Sequence, residues 1–140
     1  MIRKLAPLAI AAAIVAVASA ASAQSHTSKT FSGAKVNKGT VTHSTMNGQH
    51  TLTLSADFQV PDTPDPHWQV VDSKGRVFVL QRLNVKNGVL GLSGDKLNRT
   101  ITLPVYITDV AKVQIYCSWA EAVLGETTFD STLMTAPTSR

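Results

Sequence analysis

The 140-residue sequence holds one cysteine, Cys117. A single thiol excludes an internal disulfide framework and any zinc centre built on several thiolates. Aromatic residues are only 6 % of the chain and are spread along it, as core packing rather than as a stacking platform. Charged residues are sparse, and after Lys4 no two basic residues are adjacent. Without a basic run there is no electrostatic footprint for nucleic acid, and no such partner is expected. Also missing are Gly-x-Ser-x-Gly, His-Glu-x-x-His, a phosphate-binding glycine loop and the Cys-x-x-Cys-His haem attachment site. Past the N-terminus no apolar run approaches the ~20 residues of a membrane span, so no integral membrane segment is expected in the mature chain.

The N-terminus has the three parts of an export signal. Arg3 and Lys4 form a basic start, Leu5 to Val17 is almost wholly apolar, and Ala21-Ser22-Ala23 offers a cleavage site before Gln24. Ala18-Ser19-Ala20 is an overlapping alternative. Residues 1–23 therefore read as a signal peptide and the product as periplasmic or secreted. Removing Arg3 and Lys4 lowers the formal net charge from +4 to +2. A lone Cys117 in an oxidising compartment is buried, capped, bound to something, or paired with another molecule.

Residues 24–30 are polar and read as a flexible entry segment. The chain from 31 to 134 is a series of short apolar stretches between turn residues. That pattern predicts one all-β domain: an antiparallel β-sandwich or partly open barrel of about seven to nine short strands. Asn47-Gly48 predicts a two-residue type I′ hairpin turn, because both central positions need positive φ. The register then pairs Met46 with Gln49, Thr45 with His50, His43 with Leu52 and Val41 with Leu54. Val41, His43, His50, Leu52, Leu54 and Phe58 share one face. The three prolines of Pro61 to Pro66 predict a stiff loop. Strands are expected over His67 to Val71, Val77 to Leu83, Thr100 to Leu103, Lys112 to Trp119 and Thr127 to Met134, with a short one near Val89 to Leu92. Trp119 to Leu124 is expected to make a helical turn ended by Gly125, and residues 135–140 a loose tail.

Three groups could carry chemistry. Alternation places Cys117 on the apolar face with Val113, Ile115 and Trp119, where a free cysteine packs as a small hydrophobe. A reactive thiol there needs a polarising neighbour to lower its pKa. His43 and His50 are diagonal neighbours across the hairpin, within reach of a shared metal ion or cofactor, and His67 would join them if the proline-rich loop folds toward the tip. Asp62 and Asp65 are paired carboxylates, hard ligands for calcium, or turn-capping residues beside proline.

The assembled residues resemble a known family. Phe31, Asn37-Lys38-Gly39-Thr40-Val41, Asn47-Gly48 and Leu52 to Phe58 are similar to the opening of the DM-thirteen domain. Pro64-Asp65-Pro66 and the strand after it resemble its middle block. Leu103-Pro104, then Val113-Gln114-Ile115-Tyr116-Cys117, then Gly125 resemble its last block. The similarity spans about Phe31 to Phe129. Tyr116 stands where the family often has tryptophan, and no DOMON module is attached.

The resemblance implies a β-rich electron-transfer or redox domain. Its cysteine, here Cys117, would work as a naked thiol or hold a prosthetic group. The expectation is an exported redox accessory domain centred on Cys117, served by an envelope redox partner protein. If haem or a transition metal is the cofactor, His43, His50 and His67 are candidate ligands, and the hairpin pair His43 and His50 alone is a candidate metal site. The competing expectation is a non-catalytic binding or structural sandwich in which Cys117 is core.

Overall fold

The computed structural model describes residues 13–15, 25–85 and 96–137. Most of the expected signal peptide, the expected strand near Val89 to Leu92 and the last three residues of the tail lie outside the described residues. Among the described residues the protein is all-β, with no helix and hence none long and apolar enough to cross a membrane.

Two four-stranded antiparallel sheets face each other as a β-sandwich. The first has the order β1 (Ser25–Thr27), β2 (Val41–Met46), β3 (Gln49–Leu54), β8 (Thr100–Thr102). The second runs β10 (Ala122–Met134), β9 (Asp109–Cys117), β4 (Pro66–Val71), β5 (Val77–Arg82). A two-stranded ribbon of β6 (Asn84–Val85) and β7 (Lys96–Leu97) lies between β5 and β8 in sequence.

Period-two alternation selects the core. Val41 and His43 of β2, Leu52 and Leu54 of β3 and Ile101 of β8 are buried. So are Trp68 and Val70 of β4 and Val113, Ile115 and Cys117 of β9. Trp68 is wholly buried, and its indole N–H donates to the Asn98 carbonyl at 2.9 Å, so its one polar atom is satisfied. On the outer face of the second sheet, Gln69 donates to Gln114 and Gln114 to Glu126.

The hairpin forms in the expected register, from Met46 opposite Gln49 to Val41 opposite Leu54. Asn47 and Gly48 have φ of 51° and 75°, as a type I′ turn requires.

Three local expectations need correction. The entry segment is not free: Ser25–Thr27 pairs with β2, His26 opposite His43, and the following chain crosses to β10, where Lys29 N–H donates to the Thr128 carbonyl. A three-residue polar edge strand has no apolar alternation to betray it, and its pairing partner decides its state. The helical turn after Trp119 is instead a four-residue turn, Ser118 to Glu121, closing a hairpin in which Cys117 pairs with Ala122. Glu121 reverses the chain at φ 51°, and β10 therefore starts at Ala122 rather than Thr127. Since β9 stops at Cys117, Trp119 leaves the core face and is 76 % exposed. Thr135, the first residue of the expected loose tail, is buried, with its N–H and hydroxyl donating to the carbonyls of Thr108 and Ile107.

Candidate functional site

Cys117 is the last residue of β9 and lies directly opposite Pro66, the first of β4. The end of the sheet brings two irregular segments over the sulfur: the Pro61 to Pro66 loop and the turn 118–121. They are tied together where Ser118 N–H donates to the Asp65 carbonyl at 3.0 Å. Only 1 % of Cys117 is exposed.

Burial by itself pushes a thiol pKa up. Here the net direction is down. Hydrogen bonding from the backbone of Ala120 does most, and against the burial penalty it is helped by the backbone of Asp65 and Trp119 and by the Thr63 hydroxyl. Thr63 Oγ1 is itself buried and has no partner of regular hydrogen-bond geometry. These neighbours hold the thiol below its ordinary pKa despite its burial.

His67 is one residue past Pro66 and points to the other side of the sheet. Its Nδ1 lies 3.0 Å from the Asp65 carbonyl and 3.1 Å from Ser118 Oγ. Arg82 Nη1 stands 2.9 Å from Asp65 Oδ1, an ion-pair contact without hydrogen-bond alignment. Asp65 therefore anchors the loop and supplies a donor N–H toward the thiol. Asp62 is exposed.

The histidines of the hairpin form a second cluster, on the first sheet. His43 Nε2 and His50 Nδ1 are 2.9 Å apart. On the other side of His43, its Nδ1 faces His26 Nδ1 at 3.3 Å. Ring planes are nearly parallel, at 8° and 17°, with centroids 5.2 and 5.6 Å apart. Those separations are about as large as the N···N distances allow, so the imidazoles meet edge to edge in a row and are not stacked face over face. Thr45 Oγ1 also approaches His50 Nδ1, at 3.2 Å.

His43 is 2 % exposed. Burial, then the neighbouring His50 and His26 rings, lowers its pKa to about 4, so it is neutral at physiological pH. Burial lowers that of His50 as well. His50 borders a small pocket of about 100 Å³ whose walls include Thr102, Leu103, Pro104 and Thr135.

The structure therefore brings His43 and His50 together but keeps His67 on the other sheet. Among the described residues no hydrogen bond joins these histidines to Cys117, and they do not fit an axial haem ligand set with it. His67 and Cys117 lie on opposite faces of their sheet, and His43 and His50 bond each other. The pocket beside His50 is well below the ~300 Å³ at which small-molecule sites begin.

Two participants escape sequence reasoning. His26 sits in a segment without periodicity, and Thr63 is one more polar residue in a proline-rich loop. The backbone of Trp119 and Ala120 is missed because the expected strand runs on through Trp119, whereas β9 ends at Cys117 and a turn follows at once.

No family model, no curated protein and no solved structure matches the chain.

Proposed function

We propose that the protein is an exported redox accessory domain that works through the thiol of Cys117. The observation that carries this reading is the place of Cys117 at the end of β9, beneath the 61–66 loop and the 118–121 turn, where the backbone of Ala120, Asp65 and Trp119 and the Thr63 hydroxyl lower the thiol pKa although burial alone would raise it. Export rests on Arg3, Lys4, the apolar run and Ala21-Ser22-Ala23, and mature protein recovered from the cell envelope should have the intact mass of a chain starting at Gln24. The similarity of the Leu103-Pro104 and Val113 to Cys117 blocks to the DM-thirteen domain points to the same chemistry.

The step suited to one thiolate is exchange with an envelope partner. The Cys117 sulfur attacks one sulfur of the partner's disulfide. That S–S bond breaks, a new one forms to Cys117, and the partner's other sulfur leaves as thiolate; a second partner thiol reverses the step. The loop 61–66 and the turn 118–121 cover the sulfur, so reaction follows a local opening of these segments rather than direct approach. Exposed Trp119, two residues beyond Cys117, supplies an apolar contact for the partner.

Alkylation kinetics test the reading. The folded protein should react faster than it unfolds globally, with a pH midpoint below that of the unfolded thiol. Labelling of native protein only at the global unfolding rate would overturn it and leave a binding or structural sandwich.

A further inference from the structure

The His26, His43 and His50 row lies on the other sheet from Cys117 and plays no part in the thiol chemistry. We propose that His26 Nδ1 and His43 Nδ1 form a two-histidine site for a first-row transition ion of the zinc type, with His50 as the positioning residue behind His43. This pairing differs from the hairpin pair His43 and His50 that the sequence suggests, and it needs the β1 residue that the sequence leaves in a flexible segment.

Distances distinguish the two contacts. The His43–His50 approach of 2.9 Å is an ordinary N–H···N hydrogen bond. The His26–His43 approach of 3.3 Å is long for one. Two nitrogens about 2.0–2.1 Å from one tetrahedral zinc also lie about 3.3–3.4 Å apart, but these rings meet end to end, so the present contact is a loose one between adjacent nitrogens and not a formed ligand pair. With His43 held by His50, the ion takes the His43 Nδ1 axis once the His26 ring swings its nitrogen off that line by roughly 2 Å, which the exposure of His26 allows.

The rest of the row suits that role. A metal-bound imidazole commonly donates its other ring N–H to an acceptor that fixes its tautomer and orientation. With the ion on His43 Nδ1, His43 Nε2–H donates to His50 Nδ1, the contact already present. Direct cross-strand pairing of His26 with His43 fixes the separation of the two ligands through the backbone.

Among the described residues no three or more His, Cys, Asp and Glu side chains converge to hold an ion. Two protein ligands leave two positions for solvent or for a group brought by a partner. A structural zinc site is closed by four protein ligands, so this geometry belongs to an open, exchangeable site. A bound ion would also staple the short edge strand β1 to β2.

The test uses untagged mature protein with zinc as ligand and cobalt(II) as the spectroscopic probe. Wild type should take up one equivalent of zinc, and cobalt(II) should give the strong visible bands of a four-coordinate ion. His26→Asn, at an exposed position, should lose both while keeping its fold by circular dichroism. His50→Ala should keep the site but bind 10–100-fold more weakly, as loss of such a positioning partner does elsewhere. Unchanged uptake by His26→Asn would overturn the proposal, as would no uptake by wild type. Loss in His26→Asn together with full retention in a folded His43→Gln variant would also overturn it, because the ion would then sit on the N-terminal segment alone. Thiol reactivity of Cys117 should be the same in all these variants, so failure here is separable from failure of the redox reading.

Discussion

Gly33 and Gly125 pack backbone to backbone where the N-terminal segment crosses β10, with no room for a Cβ on Gly33. A Cβ on Gly125 would fall 2.6 Å from the Val36 carbonyl oxygen. The register of β10 against β9 shifts between Val123 and Gly125, and the Leu124 carbonyl accepts the N–H groups of Lys35 and Val36. The crossing that laces the two sheets together thus depends on close backbone approach. Gly125→Ala should destabilise the fold by about 1–3 kcal/mol, the range for overpacking a close contact. Urea denaturation measures it, and an unchanged midpoint would mean that the crossing relaxes freely.

Gly48 presents the opposite case. A Cβ there would meet nothing within 4 Å, yet φ is 75°. Gly48→Val should cost about 1 kcal/mol or more, because a β-branched residue is poorly tolerated at positive φ. Gly48→Asn should recover much of the loss, since asparagine tolerates that region. Equal melting temperatures for the valine variant and wild type would contradict this origin of the cost.

These two glycines mark how far the sequence could be read. Asn47-Gly48 is local turn chemistry flanked by alternating residues, so the hairpin, its register and the inward faces of His43 and Cys117 were legible. Gly125 was read locally too, as the end of a helical turn, whereas its role is set by a segment some ninety residues earlier in the chain. The same distinction holds at the sites. His43 and His50 are joined by a two-residue loop and were found together. His26 meets them through an edge strand of Ser, His and Thr, which has no core side to specify it. Thr63 reaches Cys117 only through the pairing of β4 with β9.

Acid should weaken the fold through His43. Its folded pKa is lowered to about 4 by burial and by the adjacent rings, from 6.5 in an exposed imidazole. The unfolded chain therefore binds this proton more readily than the folded one between those values. The contribution is fully present above about pH 6.5, is lost as pH falls toward 4, and changes little further below. The lowered pKa of His50 acts in the same direction. Denaturation midpoints measured with a chelator from pH 8 to 4.5 should fall more steeply for wild type than for His43→Gln. Parallel curves would show that His43 takes up its proton without opposing the fold.

Thr63 tests the thiol site with the least disturbance. Its Oγ1 is buried without a regular partner, so Thr63→Val removes an unsatisfied polar atom and keeps the shape of the side chain. Replacing such a group should leave stability unchanged or slightly raised. If the hydroxyl serves the Cys117 thiolate, the same change removes one of the groups that lower the thiol pKa. Alkylation of native protein should then slow near neutral pH, and its pH midpoint should move upward, while the limiting rate at alkaline pH is retained. The shift should be modest, because Thr63 is the smallest of the contributors and the Ala120 backbone the largest. A merely structural threonine would change the denaturation midpoint and leave the pH profile of labelling where it was. An unaltered profile in a fully folded Thr63→Val variant would therefore remove the hydroxyl from the groups that lower the thiol pKa, and the backbone of Ala120, Asp65 and Trp119 would have to account for it alone.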